Sequence, residues 1–598
     1  MDTDDLPGAE NEEDHRTEDR LTSWKEIAAY LKRDVRTVHR WEKDQGLPVH
    51  RHVHQKAASV YAYRSELEAW WRGKAQQESV VADSTANSAG APAEGTRTAR
   101  RSLRLPLALS AVLIGAAILL LWQSRGRRGN TSERVMIAVL PFQNIGGGAA
   151  RDYFCDGLNE ELITELAILD PTRVGVIARS SAMAYKNGGK SIHQIGQELG
   201  VAYVIEGSVR FEPDKSRITT QLIRVSDQSH LWAGTYDTSI INALGAEQQI
   251  SREVATTVGR RFGAAYPKSV AQASVDTEAY HLYLQGRDLF DRRDHADLEQ
   301  SLLLFDQALQ RDPYFARAYA AIADSYNQLG YLGFRPLGLT IPKAQDAANR
   351  ALAIDPNLAD AHAALGFINA MWLWDWKEAE SRYQRALQLD PAYTPAHHYY
   401  ALFLASAGRL QEAKERIAEA EKIDPLSVPV VVGAAYIYYF DRDYQKSIDY
   451  CKRALSRDPN YAIAFAMLGW NFAQLQRYPE SIAALKRGLE LSPSNPLYLA
   501  TLGRIYVLSG DRLHAVNVLQ QLDSLSKQKW VGGSARAIIY AAQNDRDSAL
   551  HWLNIAAQQE DGFLLWLKVT PEFDGLRGDP QFRQLLAKVG LPSGNVGP

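Results

Sequence analysis

Four groups of residues have side chains and spacing that could do chemistry. The first is acidic. Asp156, Glu160, Glu161 and Glu165 fall at helical spacing, so Glu161 and Glu165 share one helix face and Asp156 with Glu160 forms a similar pair. Paired carboxylates can move protons, but no histidine or nucleophile accompanies them in a recognisable arrangement, and they read as a solvated helix face. Cys155 beside them has no motif-linked base and reads as a small residue at a helix start. The second group, Gly146-Gly147-Gly148, follows an apolar stretch as a phosphate loop would. It lacks the glycine spacing and the Lys-Ser/Thr pair that cradle phosphates, so it reads as a plain loop. The third, His50, His52 and His54, alternates along a basic stretch. It offers no fixed geometry and no nearby carboxylate, and no metal site follows from it. The fourth is basic: Arg36, Thr37, His39, Arg40 and Lys43 lie on the polar side of a short helix, and Arg51 and Lys56 follow in the next loop. Cations and hydrogen-bonding side chains so arranged suit the phosphates and base edges of DNA.

The elements that would carry this basic face lie in residues 21–72. Ser23 with Glu26 makes a capping box, and Trp24, Ile27, Ala28 and Leu31 form one apolar stripe. After the break Lys32-Arg33-Asp34 a second helix runs from about Val35 to Lys43, with Val38 and Trp41 inward. Gly46-Leu47-Pro48 ends it, and the basic loop leads into an alternating strand, Ser59 to Tyr63, and a helix ending at Trp70-Trp71. Residues 20–74 carry twelve Lys or Arg against six Asp or Glu, an excess that suits a polyanion. The stretches SWKEIAAYLKRDVRTVHRWEK, LPVHR and VYAYRSELEAWW resemble the winged helix-turn-helix of the MerR and excisionase type. The resemblance implies that Thr37, His39 and Arg40 face DNA while Trp41 packs the core.

On either side the composition changes. Residues 1–20 form an acidic tail expected to be disordered, with nine Asp or Glu and one Arg in the first 19 positions. Residues 73–104 are rich in Ala, Ser, Thr and Gly and read as a flexible linker. Leu105 to Trp122, LPLALSAVLIGAAILLLW, is uncharged and bracketed by arginines. At about 27 Å as a helix it approaches the ~30 Å hydrocarbon core and predicts a single transmembrane helix. Four arginines stand on each side, so flanking charge leaves the orientation open. A DNA-binding head would have to be cytoplasmic, which places the C-terminal region in the periplasm of a bacterial inner membrane.

From residue 134 to 262 strands and helices interleave: Val135 to Phe142, Cys155 to Leu169, Val174 to Ala178, Ser191 to Leu199, Tyr203 to Arg210, Arg217 to Val225 and Leu231 to Tyr236. That order predicts a small α/β domain with a hairpin-like end. The residues IAVLPFQNI, YFCDGLNEELITELA, VIARSSAMAYK, IGQELGVAYVIEGSVR and ITTQLIRVSDQSHLWAGTYD resemble the domain related to the TolB N-terminal domain and FlgO, which implies an envelope sensing or interaction domain.

The strongest periodicity comes last. Asp-Pro or Ser-Pro steps end at Pro313, Pro356, Pro391, Pro425, Pro459 and Pro493, spaced by 43, 35, 34, 34 and 34 residues. Each interval holds two amphipathic helices. Between Ala462 and Pro493, Phe465, Leu468, Gly469 and Phe472 meet Ser481, Leu485 and Gly488, and Gly469 permits close approach. These resemble tetratricopeptide repeats, seven or eight of them over 278–560, and imply a helical solenoid that binds protein or peptide. Cys451 falls in the slot held by Phe305 and Leu485 and is expected to be buried. Met371 to Trp376 crowds three tryptophans at a turn, candidates both for partner contact on the concave surface and for core packing. The insertion near Tyr331 to Ile341 is a similar candidate contact point. Residues 561–598 read as the terminal cap and tail.

The fold class expected is therefore multidomain: winged helix-turn-helix, single transmembrane helix, small α/β domain, and an α-solenoid of tetratricopeptide repeats. Two cysteines almost 300 residues apart exclude a disulfide framework and a cysteine zinc cluster. No catalytic, cofactor or metal site is expected. The function expected is a membrane-anchored one-component transcriptional regulator, resembling CadC and ToxR in architecture only. Its partners would be promoter DNA, a protein or peptide, the lipid bilayer and a second copy of itself. The alternative is a membrane-bound scaffold whose repeats recruit partners and whose head docks protein.

Overall fold

The described residues of the computed structural model are 20–71, 134–265 and 275–591, less a few short breaks within them. The chain divides into two compact units, Met1–Gly126 and Arg127–Pro598.

In the first unit, β1 (Arg20–Leu21) precedes α1 (Trp24–Tyr30) and α2 (Val35–Gln45), and β2 (His50–His54) pairs with β3 (Ala57–Tyr63) in a three-stranded antiparallel sheet of order β1-β3-β2. Ser23 caps α1 by accepting from the Glu26 N–H, while the Glu26 carboxylate accepts from the Thr22 N–H at 2.8 Å, one residue earlier than a capping box requires. Ile27, Val38, Trp41, Ala62 and Leu67 form the core.

The second unit opens with a mixed sheet. Its members are β4 (Val135–Val139), β5 (Gln143–Ile145), α3 (Asp152–Ala167), β6 (Val174–Val176), α4 (Arg179–Met183), α5 (Ile192–Leu199), β7 (Tyr203–Phe211), β8 (Ser216–Arg224), β9 (His230–Thr238) and α6 (Ala243–Arg261). The strand order is β6-β4-β7-β8-β9, with β5 also paired to β7. Pairing is parallel as far as β7 and antiparallel beyond it. Alternation sends Ile137 and Val139 to α3 and α6 on one face, and Ala138 and Leu140 to α5 on the other.

Eight helix pairs follow among the described residues: α7 (Thr277–Arg292) with α8 (His295–Arg311), α9 (Ala316–Tyr331) with α10 (Leu337–Ile354), α11 (Ala359–Ile368) with α12 (Trp376–Leu389), α13 (Thr394–Ser406) with α14 (Leu410–Ile423), α15 (Val428–Phe440) with α16 (Tyr444–Arg457), α17 (Ala462–Gln474) with α18 (Tyr478–Leu491), α19 (Pro496–Leu508) with α20 (Arg512–Ser526), and α21 (Gly533–Ala542) with α22 (Arg546–Gln558). A Cβ at Gly469 would stand 2.5 Å from Leu485, so only glycine allows this approach of α17 to α18. Cys451, Phe305 and Leu485 are all buried. In four of the Asp-Pro turns the aspartate accepts the N–H two residues on: Tyr314 to Asp312, Asn357 to Asp355, Ala392 to Asp390 and Asn460 to Asp458, at 2.8–3.0 Å.

The cap reaches further than the last repeat. Two short 3-10 turns, Gly562–Trp566 and Pro571–Leu576, and α23 (Pro580–Lys588) fold back onto the middle of the array. The Trp376 indole donates to the Val589 carbonyl at 3.0 Å, and Lys568 to that of Ala407 at 3.0 Å. The Tyr439 hydroxyl donates to Glu572, and Arg442 pairs with Asp574 at 2.9 Å. Trp372 is buried and leaves room only for glycine at Gly562. The three tryptophans therefore hold the cap, through Trp372 at Gly562 and with Trp374 and Trp376 packed on its apolar cluster.

Two expectations are corrected. Among the described residues no helix is long and apolar enough to cross a membrane. The apolar stretch 105–122, like the acidic tail to residue 19 and the linker 73–104, lies outside them. Apolar character specifies removal from water, in protein as much as in lipid, and an uncharged run is not by itself a span. The fold class is thus a multidomain chain with a largely helical, repeat-rich C-terminal region and, among the described residues, no transmembrane helix. The membrane-anchored regulator, the bilayer as a partner and a periplasmic C-terminal region are accordingly not supported by the described residues.

The second correction concerns the acidic face. Glu161 and Glu165 are buried and Asp156 nearly so, its carboxylate held by Lys186 at 2.7 Å. The helix α6, whose sequence carries no strong periodicity, covers this side and adds Glu247. Glu247 is fully buried with no hydrogen-bond partner on either oxygen. Burial, with Glu161 adding to it, pushes its pKa well above the ordinary carboxylate value. For an acid raised by folding, the stabilising contribution is complete below the ordinary value and is lost as pH rises through the folded one. Glu247→Gln, which keeps the shape without an ionisable proton, is expected to raise the melting temperature of the full chain more at about pH 8 than at about pH 5. Equal shifts at both pH values would contradict a buried neutral acid.

Candidate functional site

The α/β domain is anchored across the inner face of the repeats at two places, and both are built from polar groups. At the first, the segment before α4 meets the fourth-to-fifth repeat turn. The Ala178 N–H donates to the Ile423 carbonyl at 2.8 Å. Asp424, buried, accepts from the Ser180 hydroxyl at 2.6 Å and from that of Ser181, and Ser181 in turn accepts from the Leu426 N–H at 2.9 Å. Asp424 thus departs from the other aspartates of its kind, which close their own turns. Leu426 packs against the cluster beneath α5.

At the second place, α3 and α4 meet α7 and α9. Arg179 donates to Asp288 at 2.7 Å and lies 3.4 Å from Glu160, and Arg317 donates to Glu160 at 3.1 Å. The Tyr280 hydroxyl donates to Glu161 at 2.7 Å, and the Tyr153 and His281 rings lie 3.8 Å apart. Burial pulls Glu160 upward, but Arg317 and Arg179 outweigh it and hold its pKa below the ordinary value. Burial lowers His281 to about 4, so it is neutral. Cys155 is buried and free, its thiol pushed up to about 12 by burial and by Asp156, which suits packing and not reactivity.

Between these anchors and the inner helices lies a cavity of about 1500 Å³, walled by α3, α4 and the repeats from α7 to the turn before α17. Arg287, Asp324, Asp360, Tyr393 and Tyr399 line it. Each is half-buried, and Tyr393 and Tyr399 also pack against the repeat cores. Sequence reasoning missed this site, because its parts are local helix surfaces until the domain lies over them.

The basic face of the first unit is a separate candidate. Arg36, His39, Arg40 and Lys43 are exposed on α2. Thr37 is half-buried and its hydroxyl donates to Asp34 at 2.8 Å, so it is engaged in capping α2. His39 lies against Trp24, ring centroids 3.8 Å apart. Arg51 pairs with Val60 through the backbone of β2 and β3; its side chain and Lys56 lie outside the described residues. His50 does have a nearby carboxylate, Glu66 at 2.7 Å, contrary to expectation. Among the described residues no group of three or more His, Cys, Asp or Glu could hold a metal ion.

Comparisons with known proteins bear on both parts of the second unit. Residues 132–252 match the HilA/YgeH-like transcriptional regulator, second domain, and residues 375–432 and 429–461 match tetratricopeptide repeat families. Over 250 residues the chain is 32% identical to a putative adenylate cyclase 3 of Rhizobium meliloti, covering 41% of each chain. Over 159 residues it is 27% identical to the transcriptional regulator HilA of Salmonella typhimurium, covering 27% of this chain and 29% of that one. A solved structure of Pseudomonas aeruginosa PilF is 24% identical, with a TM-score of 0.28 over 35% of this chain and 93% of that one. The chain spans less than half the length of these curated relatives.

The match at 132–252 corrects the assignment of 134–262 to the TolB N-terminal and FlgO type. Alternating strands and helices occur in many small α/β domains, and their order alone does not discriminate among them. The domain is HilA-like. The families matched by it and by the repeats are regulatory and scaffold families rather than catalytic ones.

Removing Arg179 leaves Glu160 to Arg317 alone and Asp288 and Asp291 facing the gap. Arg179→Ala is expected to weaken docking by about 3–5 kcal/mol. Hydrogen exchange over 178–186 and 423–426 should then quicken while strand β7 stays protected. Unchanged exchange at 178–186 would show that Arg179 does not hold the domain.

Proposed function

We propose that this chain is a regulatory protein-interaction scaffold: the repeat array binds a segment of a partner protein on its inner face, where the HilA-like domain is docked. The observation that carries the reading is the cavity of about 1500 Å³ between domain and array. Its lining sets charged and aromatic side chains such as Arg287, Asp324, Tyr393 and Tyr399 among aliphatic ones such as Leu358 and Val430, and it runs past several repeats as an extended chain would. The matched repeat families support a protein or peptide partner. A photo-crosslinking residue placed in the full chain at Tyr399, inside the cavity, is expected to give protein adducts in cells. One placed at Leu303, 54% exposed, serves as the control. Equal adducts from both positions would remove the inner face from consideration.

A second reading concerns the first unit alone. The exposed cations Arg36, Arg40 and Lys43 on one side of α2 support contact with duplex DNA, with His39 and Thr37 beside them and Arg51 and Lys56 in the following hairpin. Residues 20–74 are expected to retain genomic DNA fragments selectively. The Arg36→Ala/Arg40→Ala variant should lose that selectivity and lower the salt slope by about two. Binding that is unselective and unchanged in the variant would assign this face to a protein partner instead.

A further inference from the structure

The first anchor rests on exchangeable hydrogen bonds. Four repeat turns show the undisturbed pattern: Asp312, Asp355, Asp390 and Asp458 each accept the N–H two residues on, at 2.8–3.0 Å. In the turn after α14 both halves of that bond are diverted to residues 178–181. The Asp424 carboxylate accepts from the Ser180 hydroxyl at 2.6 Å and from that of Ser181, while the Leu426 N–H donates to the Ser181 hydroxyl at 2.9 Å. One residue before Asp424, the Ile423 carbonyl accepts from the Ala178 N–H at 2.8 Å. Removing one partner of a buried group ordinarily costs the desolvation of the group left behind. Here Asp424 and the Leu426 N–H can take each other when the serines leave, in the geometry that the four other turns already adopt. Residues 178–181 are thus held as a ligand is held in a site. Ala178, Ser180, Ile423, Asp424 and Leu426 all line the cavity, and Ser180 is exposed, so a segment lying along the inner face reaches them. Arg179, between these contacts in sequence, pairs with Glu160 and Asp288 at the second anchor.

We infer that the turn 423–426 is a recognition site for a partner segment carrying two consecutive serines or threonines, and that residues 178–181 fill it in cis until such a segment replaces them. The inference rests on the repeat array being the partner-binding surface. The contacts define the ligand chemistry: a backbone N–H for the Ile423 carbonyl, two hydroxyl donors for Asp424, and a hydroxyl oxygen for the Leu426 N–H. An ionised carboxylate accepts and cannot donate, so it selects hydroxyls over carbonyl and carboxylate groups. A phosphorylated serine brings negative charge to a buried carboxylate and is refused. The tethered segment competes at an effective concentration on the order of mM, so a partner must add contacts along the inner face to these. Replacement frees one end of the HilA-like domain while the pairs of Glu160 with Arg179 and Arg317 hold the other.

The test uses the full chain and a fluorescein-labelled peptide of residues 174–186, VGVIARSSAMAYK, read by anisotropy. Ser180→Ala/Ser181→Ala in the chain weakens the internal ligand and keeps the receiving turn, so this variant is expected to bind the peptide about tenfold or more tightly than the native chain does. Adding Asp424→Ala should abolish the gain. The same peptide with Ser180→Ala/Ser181→Ala, or phosphorylated at Ser181, should bind the double variant about tenfold less tightly. A measurement on the native chain guards against misfolding of the variants: saturating labelled peptide, whose fragments differ in mass, should quicken hydrogen exchange of the chain over 178–186 while β7 stays protected. Equal affinity of the native chain and the double variant, equal binding of the altered peptides, or unchanged exchange at 178–186 overturns the inference. If the peptide does not bind but the crosslinking residue at Tyr399 gives more adducts than that at Leu303, this site falls and the array remains the partner-binding surface. If neither result is obtained, both readings fall.

Discussion

The carboxylate of Asp424 decides what the inner face of the array becomes. An aspartate before proline in a repeat turn ordinarily accepts the N–H two residues on, as Asp312, Asp355, Asp390 and Asp458 do. Asp424 accepts from Ser180 and Ser181 instead, and the adjacent Ile423 carbonyl and Leu426 N–H are both taken by the same short segment. One turn out of the series is thereby spent on another domain. The contact is local, but it fixes one end of the α/β domain against the fourth and fifth repeats. The Glu160, Arg179 and Arg317 network fixes the other end against the first and second. The cavity lies along the span between these two anchors.

Both anchors are polar, and that has energetic consequences. Desolvating Arg179 and Glu160 costs much of what their attraction returns, so such a network contributes register more than net stability. The apolar cores lie on either side of the junction, within the sheet and its helices and within the repeats. Each part thus carries its own stabilising core, and the junction sets where they meet. The C-terminal cap works differently, joining polar contacts such as Trp376 to Val589 with an apolar cluster that includes Leu567, Phe573 and Phe582. It closes the array back on its third to fifth repeats and so limits how far the inner face can open.

Much of this was legible in the sequence where the signal is periodic. The 34-residue spacing, the Gly469 slot and the alternation of β7 and β8 each report a local rule that the fold obeys. The strands Tyr203–Phe211 and Ser216–Arg224 stand within a residue of their expected bounds. What was not legible is contact between distant segments. Ser180 and Asp424 are 244 residues apart, and Trp376 and Val589 are 213 apart. Neither pair is foreshadowed by any pattern in its own neighbourhood. The same limit explains the misreading of Glu161 and Glu165: a row of carboxylates at helical spacing describes a polar face, and only the presence of α6 and Tyr280 turns it into an interior one. In the head, the inward turn of Val38 and Trp41 was readable from periodicity, whereas the capture of Thr37 by Asp34 was not weighed and reduces what Thr37 can offer a partner.

A cavity whose walls come from two bodies couples their association to its own occupation. Arg287, Asp324 and Tyr393 come from the array, whereas Glu160, Glu161 and Arg179 come from the α/β domain, and all six line one space. A segment bound there touches both bodies, so it stabilises the docked arrangement by whatever its affinity gains from the second wall, and docking strengthens its binding by the same factor. Arg317 makes that coupling specific. It pairs with Glu160 across the junction while its guanidinium lies over the Tyr283 ring at 5.3 Å inside the first repeat. Any ligand that draws Glu160 or Arg317 toward itself must act on the junction at the same time. Occupation of this space by a bound segment would therefore be coupled to the position of the HilA-like domain.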